Sequence, residues 1–370
     1  MVDSRYWLAF NRTPGVGAAK VRALLDHFGN LRDAWHADEV GWRAAGLDRR
    51  AIESLQATRK SIDLDAELER LAKCGGRLLT WDDPGYPPLL RSVPDAPPVL
   101  YIKSELTQAD QQWAVAIVGT RRATAYGRQA AERLASDLAR NGVTIVSGMA
   151  RGIDAAAHWA ALQAGGRTIG VLACGIDQVY PAEHSRLAAQ VVERGALITE
   201  TSVGSPPEAG NFPARNRIIS GLALAVIVVE AGDRSGALIT ADRALEQGRD
   251  VFAVPGSIFS RTSAGTNRLI QEGATLVQFA EDVLEALNLR MVAQQAEAQA
   301  LITEDPTEAA VLKTISHDPT HIDEIVRRME MPVPQVSSVL ALMELKGLVR
   351  QVGGMNYVLA REGRAEYVVD

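Results

Sequence analysis

Four short stretches of this chain bring together residue types that could hold a charged ligand. The first is Gly119-Thr120-Arg121-Arg122, directly after the apolar run from Trp113 to Val118. It offers backbone N–H groups, a hydroxyl and guanidinium groups at a strand-to-helix turn, where a helix N-terminus adds partial positive charge. The second is Ser147-Gly148, with Gly152 close behind, where glycine lets a ligand approach the backbone. The third, Asn211-Phe212-Pro213-Ala214-Arg215-Asn216-Arg217, sets an aromatic ring beside two arginines and two amides. That pairing suits an unstacked base on a phosphate chain. The fourth, Ser235-Gly236, opens a further helix after a segment ending Glu230-Ala231-Gly232. Singly, each stretch is equally compatible with a turn glycine, a surface arginine or a core phenylalanine. Jointly they point to a polyanion site. The pattern leaves nucleotide, DNA and RNA open.

Covalent chemistry finds no such support. A dinucleotide fingerprint needs Gly-x-Gly-x-x-Gly after the first strand and an acid about 20 residues on. Here the turn from Gly119 to Gly127 is too long, and the second strand ends in Ser147-Gly148 with no acid. A Walker loop needs a lysine, and none occurs between Lys103 and Lys313. The segment Gly232-Asp233-Arg234-Ser235-Gly236 has the wrong spacing for a nucleophile elbow. His158 and His184 stand apart from any second ligand, and Asp154 reads as a residue that caps or starts a helix. No catalytic residue, metal or cofactor is expected.

The elements that must position these turns alternate cleanly. Strands are predicted near 114–118, 143–147, 168–173, 196–200, 224–230, 251–254 and 275–278, with helices between them near 126–140, 154–164, 183–193, 214–222, 236–247, 265–272 and 280–287. Apolar strand, glycine turn and helix, repeated, is the pattern of a parallel α/β sheet, whose ligands sit beyond the carboxyl ends of its strands. Residues 1–65 read as a small helical domain. In it Gly15 and Gly17 open a helix carrying Lys20, and could present N–H groups to an auxiliary anion as helix-hairpin-helix modules do. Residues 66–112 read as a connector whose strands extend the sheet edge, 113–288 as the core and 289–305 as a linker. Residues 306–370, with three helical segments and a hairpin tipped by Gly353-Gly354, read as a winged helix. Its presumed recognition segment from Pro334 to Leu345 contains no basic residue, which favours an auxiliary or protein-binding role over base reading.

Hydrophobic content of 47% and charged content of 23% are ordinary for a globular protein. A net charge of −6 argues mildly against bulk nucleic-acid binding, although the field in a groove is local. The start, Met1 to Arg5, lacks the character of a secretory signal, and no apolar run reaches membrane-span length, so a cytoplasmic location without membrane insertion is expected.

The series GTR at 119–121, SGMARGID at 147–154, CGIDQVYP at 174–181, NFPARNRIISGL at 211–222, SGALIT at 235–240 and VPG at 254–256 resembles the DNA processing protein A (DprA/Smf) family in order and spacing. The resemblance spans the core, and the flanking units agree with the family's SAM-like or helix-hairpin-helix and winged-helix domains. It implies an extended Rossmann-like core that forms a homodimer. It also implies a non-enzymatic single-stranded DNA binder that protects incoming DNA and helps load the RecA recombinase during natural transformation. Carried over by motif, Arg121 would hold phosphate, with Gly119 and Thr120 shaping its loop. Ser147, Gly148 and Gly152 would line the groove. Phe212 would contact a base, flanked by Asn211, Arg215 and Asn216. Ile270 and Leu276 resemble the dimer surface. One departure is Ala182, which follows Pro181 where some members carry a basic residue. A nucleotide-processing phosphoribohydrolase is the alternative, but the segment Glu230–Thr240 lacks the glycine pair and glutamate of that group. A duplex-specific regulator acting through the winged helix is a third reading.

Overall fold

The computed structural model describes residues 4–287, 307, 310, 311, 314, 315, 320–329, 331–345 and 349–359. The expected linker, 289–305, and half of the residues of the helix expected at 307–316 lie outside them. The chain divides into two compact units, Met1–Leu287 and Asn288–Asp370.

In the first unit, nine strands among the described residues form one sheet: β1 (Gly76–Thr80), β2 (Val99–Ser104), β3 (Ala114–Val118), β4 (Thr144–Ser147), β5 (Thr168–Val171), β6 (Gly195–Thr199), β7 (Ala225–Val228), β8 (Asp250–Ala253) and β9 (Thr275–Leu276). Their order is β1-β2-β6-β5-β4-β3-β7-β8-β9. From β6 to β9 all neighbours are parallel, while β2 joins β6, and β1 joins β2, antiparallel. Residues of β3 to β7 are buried throughout, as expected of parallel strands covered on both faces. This is the mixed α/β, Rossmann-like architecture that the alternating pattern predicts.

The chain runs outward from β3 through β4, β5 and β6, then returns to lay β7 on the other side of β3. The direction of winding reverses between β3 and β7, which makes a crevice at the carboxyl ends of those strands. Side chains alternate across the sheet. One face meets Ile218 and Ile219 of the helix Asn211–Gly221, and Leu238 and Ala241 of the helix Gly236–Glu246. The other face shares a core with Trp7, Phe10, Leu24 and Trp42 of the N-terminal helices. Tyr101 of β2 donates to Asn11 Oδ1 at 2.7 Å, tying these helices to the sheet.

In the second unit, β10 (Thr320–His321), β11 (Val349–Gln351) and β12 (Asn356–Leu359) form a sheet in the order β10-β12-β11. It packs with the helices Ile322–Met329 and Val333–Leu345 around Ile325, Leu340, Met343 and Tyr357. The tip residues Gly353 and Gly354 both have positive φ, as a tight hairpin requires. This is a winged helix.

Candidate nucleic-acid interface

A cleft of about 780 Å³ opens at the carboxyl ends of β3 and β7. The turn after β3 is held there by sterics and by hydrogen bonds. A Cβ on Gly119 would lie 2.5 Å from Ile153 Cγ1 and 3.0 Å from the Glu230 carbonyl, so only glycine fits. Thr120 N donates to the Glu230 carbonyl at 2.7 Å, and Ile153 N donates to the Thr120 carbonyl at 3.3 Å. The Thr120 hydroxyl accepts from Arg122 N at 3.2 Å. The turn is thereby fixed between the end of β7 and the helix Ile153–Gln163, and it leaves Arg121 and Arg122 exposed.

Behind it, the buried Glu230 carboxylate accepts from Thr124 N at 2.9 Å, from the Thr124 hydroxyl at 2.7 Å and from the Thr262 hydroxyl at 2.7 Å. Thr124 also caps the helix Ala125–Arg140 by accepting from Gly127 N at 3.1 Å. Glu230 is thus a clamp on the anion turn, a role its place at a strand end does not announce.

The facing wall is the helix Asn211–Gly221. It starts at Asn211, three residues before the start predicted at 214, because Pro213 sits in the first turn, where a missing N–H costs nothing. Phe212 therefore projects from a helix N-terminus into the cleft. The Arg121 guanidinium lies 4.9 Å from the Phe212 ring centroid. Tyr180 meets Phe212 edge-on at 5.6 Å. Tyr180, from the stretch CGIDQVYP, is thus a cleft residue that the sequence pattern alone does not mark. Asn216 donates to the Gly236 carbonyl at 3.3 Å, linking this wall to the helix capped by Ser235, whose hydroxyl accepts from Ala237 N at 3.3 Å.

Of the residues expected to line one groove, Gly119, Thr120, Arg121, Arg122, Phe212, Arg215, Asn216, Ser235 and Gly236 do line this cleft. Others sit elsewhere. Ser147 is fully buried and donates to the Ile117 carbonyl at 2.6 Å, so its hydroxyl faces protein rather than the cleft. Gly148 is covered by Arg215: a Cβ there would lie 2.6 Å from the guanidinium. Gly152 supports the turn from behind, with φ of +77°, and a Cβ there would lie 2.3 Å from the Thr120 carbonyl. Asn211 lines a second cleft of about 470 Å³ on the other side of the same helix, together with Gly15, Gly17 and Arg217. Lys20 is absent from that lining. It donates to the Gly15 carbonyl at 2.9 Å and pairs with Asp48 at 2.7 Å.

Arg215 departs most from expectation. It is only 5% exposed and donates to the carbonyls of Gly148, at 2.7 Å, and of Val171. Burial pushes its pKa down to about 10, opposed by the Asp154 carboxylate, and it stays charged at neutral pH. Asp154 is likewise buried, and burial raises its pKa. It lies in the first turn of its helix, as expected of a residue that starts one, but the N-cap is Gly152; its carboxylate accepts from Gly148 N at 3.1 Å and Ala150 N at 3.2 Å, stapling the turn after β4. Buried charge is thus matched within the floor, and the exposed guanidinium groups of Arg121 and Arg122 set the sign of the mouth.

Ile270 packs partly buried beneath β8, and Leu276, in the edge strand β9, is 43% exposed. No helix among the described residues is long and apolar enough to cross a membrane.

Comparison with known proteins places both units in one family. The family model for DNA recombination-mediator protein A matches residues 77–288, and that for the DprA winged helix domain matches residues 295–355. Protein Smf of Escherichia coli is 39% identical over 370 residues, covering 98% of this chain and 97% of that protein. The DNA processing protein DprA of Streptococcus pneumoniae is 47% identical over 202 residues, covering 55% of this chain and 71% of that one. A crystal structure of DprA from Streptococcus pneumoniae superposes with a TM-score of 0.67 at 36% identity, covering 77% of this chain and 98% of that one. A DNA processing protein A from Helicobacter pylori, solved for its single-stranded DNA binding mode, gives a TM-score of 0.52 at 31% identity over 57% of this chain and 95% of that one. The chain belongs to the DNA recombination-mediator protein A family.

Proposed function

We propose that this chain binds single-stranded DNA, without catalysis, in the cleft between β3 and β7. It thereby protects the strand and hands it to the RecA recombinase. The observation that carries this reading is the pairing of an exposed arginine, Arg121, with an aromatic ring, Phe212, at a strand-end crevice. A guanidinium beside an aromatic face offers a phosphate contact and a stacking surface within one nucleotide's reach. The Helicobacter pylori relative, solved for its single-strand binding mode, supports the choice of ligand.

In this reading Gly119, Thr120, Arg121, Arg122, Ser235 and Gly236 contact the sugar-phosphate chain, and Phe212, Tyr180 and Asn216 surround a base. Arg215, Ser147, Gly148 and Gly152 hold the site in shape. The chain acts in the cytoplasm as a homodimer through Ile270 and Leu276. Its domain limits fall near residues 65, 112, 288 and 305, with the Gly15–Gly17 turn as an auxiliary DNA contact.

The test is fluorescence anisotropy of a labelled oligothymidylate titrated across a salt series, with the same oligomer as duplex and with Arg121→Ala alongside. Single-strand preference is expected. The substitution should weaken binding of any sequence and reduce the salt slope by roughly the 0.7 expected for one single-strand phosphate contact. Equal duplex affinity together with an indifferent Arg121→Ala places the DNA outside this cleft.

A further inference from the structure

Between β8 and the helix Ala264–Gln271, residues 254–263 form a loop whose tip carries Ile258 and Phe259, 84% and 92% exposed. The loop itself is pinned. Tyr126 donates to the Pro255 carbonyl at 2.7 Å. Asn267 accepts from Gly256 N at 3.1 Å and donates back to the Gly256 carbonyl at 3.1 Å. At the far foot, the Thr262 hydroxyl donates to the buried Glu230 carboxylate, the group that also fixes the anion turn. The Arg261 carbonyl lies 3.2 Å from where a Gly232 Cβ would be, so the loop abuts the turn that leads into Ser235 and Gly236. A large aromatic is therefore held in water by a braced loop, at the same edge of the sheet as the cleft.

The arginines of this loop and of the turn it abuts are uncommitted. Arg234 and Arg261 are exposed, and neither makes an ion pair or a side-chain hydrogen bond among the described residues; the same is true of Arg122 and Arg128. Elsewhere on this unit arginines such as Arg43, Arg140, Arg151 and Arg243 are engaged by carboxylates. The nearest acid in sequence, Asp233, is turned to Arg268 at 3.8 Å.

We propose that Phe259 is a second stacking platform, and that a single strand leaving the cleft past Ser235 and Gly236 lays a further base on it, with Arg234 and Arg261 holding the intervening phosphates. The inference rests on the single-strand reading of the cleft. An unpaired arginine on the aromatic's own loop and another on the turn that loop abuts match a phosphate chain that carries bases. They disfavour a second copy of the same loop, which would set like charges face to face.

The test uses full-length protein and two labelled oligothymidylates, of about 6 and about 16 nucleotides, chosen from the span of known single-strand site sizes. Phe259→Ala should weaken the longer oligomer about tenfold and leave the shorter one unchanged, and Phe259→Trp should restore the longer one. Because the side chain is exposed, the thermal midpoint of Phe259→Ala should match the parent. Phe212→Ala should weaken both lengths. Loss with Phe212→Ala but none with Phe259→Ala overturns the second platform and leaves the cleft standing. Equal loss at both lengths with Phe259→Ala also overturns it. A DNA-indifferent Phe259→Ala that lowers self-association in sedimentation assigns the tip to a second copy of the chain instead. Indifference of both variants overturns the cleft reading itself.

Discussion

At the scale of single residues, His158 shows how burial decides chemistry. It is completely buried in the helix Ile153–Gln163, with Nδ1 2.6 Å from the Thr168 hydroxyl. That hydroxyl donates to the Ile145 carbonyl at 2.7 Å, so the imidazole must be the donor to it. Its Nε2 then carries the lone pair and finds no hydrogen-bond partner among the described residues. Burial first, then the nearby His184 and Arg215 charges, push the pKa from 6.5 to about 3. The ring is neutral in the native protein, while the unfolded chain protonates below about 6.5. Native stability therefore falls as pH drops through the window from 6.5 to about 3, by up to about 1.4 kcal/mol per pH unit from this residue. In urea titrations at pH 7.5 and 5, His158→Gln should lose less stability on acidification than the parent. Equal losses would show that His158 does not drive the slope.

At the scale of elements, what could be read from sequence followed from period and turn chemistry. Strands β3, β4 and β7 are short and doubly buried, so continuous apolar runs locate them to within a residue or two. The helix Asn211–Gly221 was placed late because Pro213 reads as a break, whereas proline is at home in a first turn. The site's outward residues, Arg121 and Phe212, were legible because they belong to a strand-end turn and a helix start. Its inward ones were not. Nothing in local pattern distinguishes the exposed Arg121 from the buried Arg215, because burial is set by carbonyls of Gly148 and Val171, distant in sequence. The same holds for the clamp at Glu230.

Gly152 tests the bracing between elements. With φ at +77° and a Cβ lying 2.3 Å from the Thr120 carbonyl, a methyl group has no room and the neighbour is backbone. Gly152→Ala should cost at least the roughly 1–3 kcal/mol of a side chain held in a sparsely populated backbone region. Because the displaced group is the anion turn, single-strand affinity should fall with it. Full stability by urea denaturation together with unchanged affinity would show that the turn is not braced from this side.

At the scale of the whole molecule, a net charge of −6 coexists with exposed, uncommitted arginines at the carboxyl ends of the strands, so on the proposed reading the local field there, and not the net charge, governs binding. The opposite consideration applies at the end of the sheet. There β9 contributes two residues, Thr275 and Leu276, and beyond it no strand pairs among the described residues. Leu276 and Phe279 are both exposed at 43%, while Ile270 lies partly buried against the core. An open edge with apolar side chains is a surface that proteins otherwise blunt or pair. In the proposed homodimer, if two-fold, the same patch meets itself, so one substitution acts twice. Leu276→Arg would set like charges across the axis while leaving the core untouched. The dissociation constant for self-association should rise at least tenfold, equivalent to about 1.4 kcal/mol, by sedimentation velocity, with the thermal midpoint of the protomer little changed. Affinity for a short oligothymidylate confined to the cleft should persist, since Leu276 is not among the residues lining it. A Leu276→Arg variant that sediments as the parent does would remove this edge from the assembly and send the search to another face.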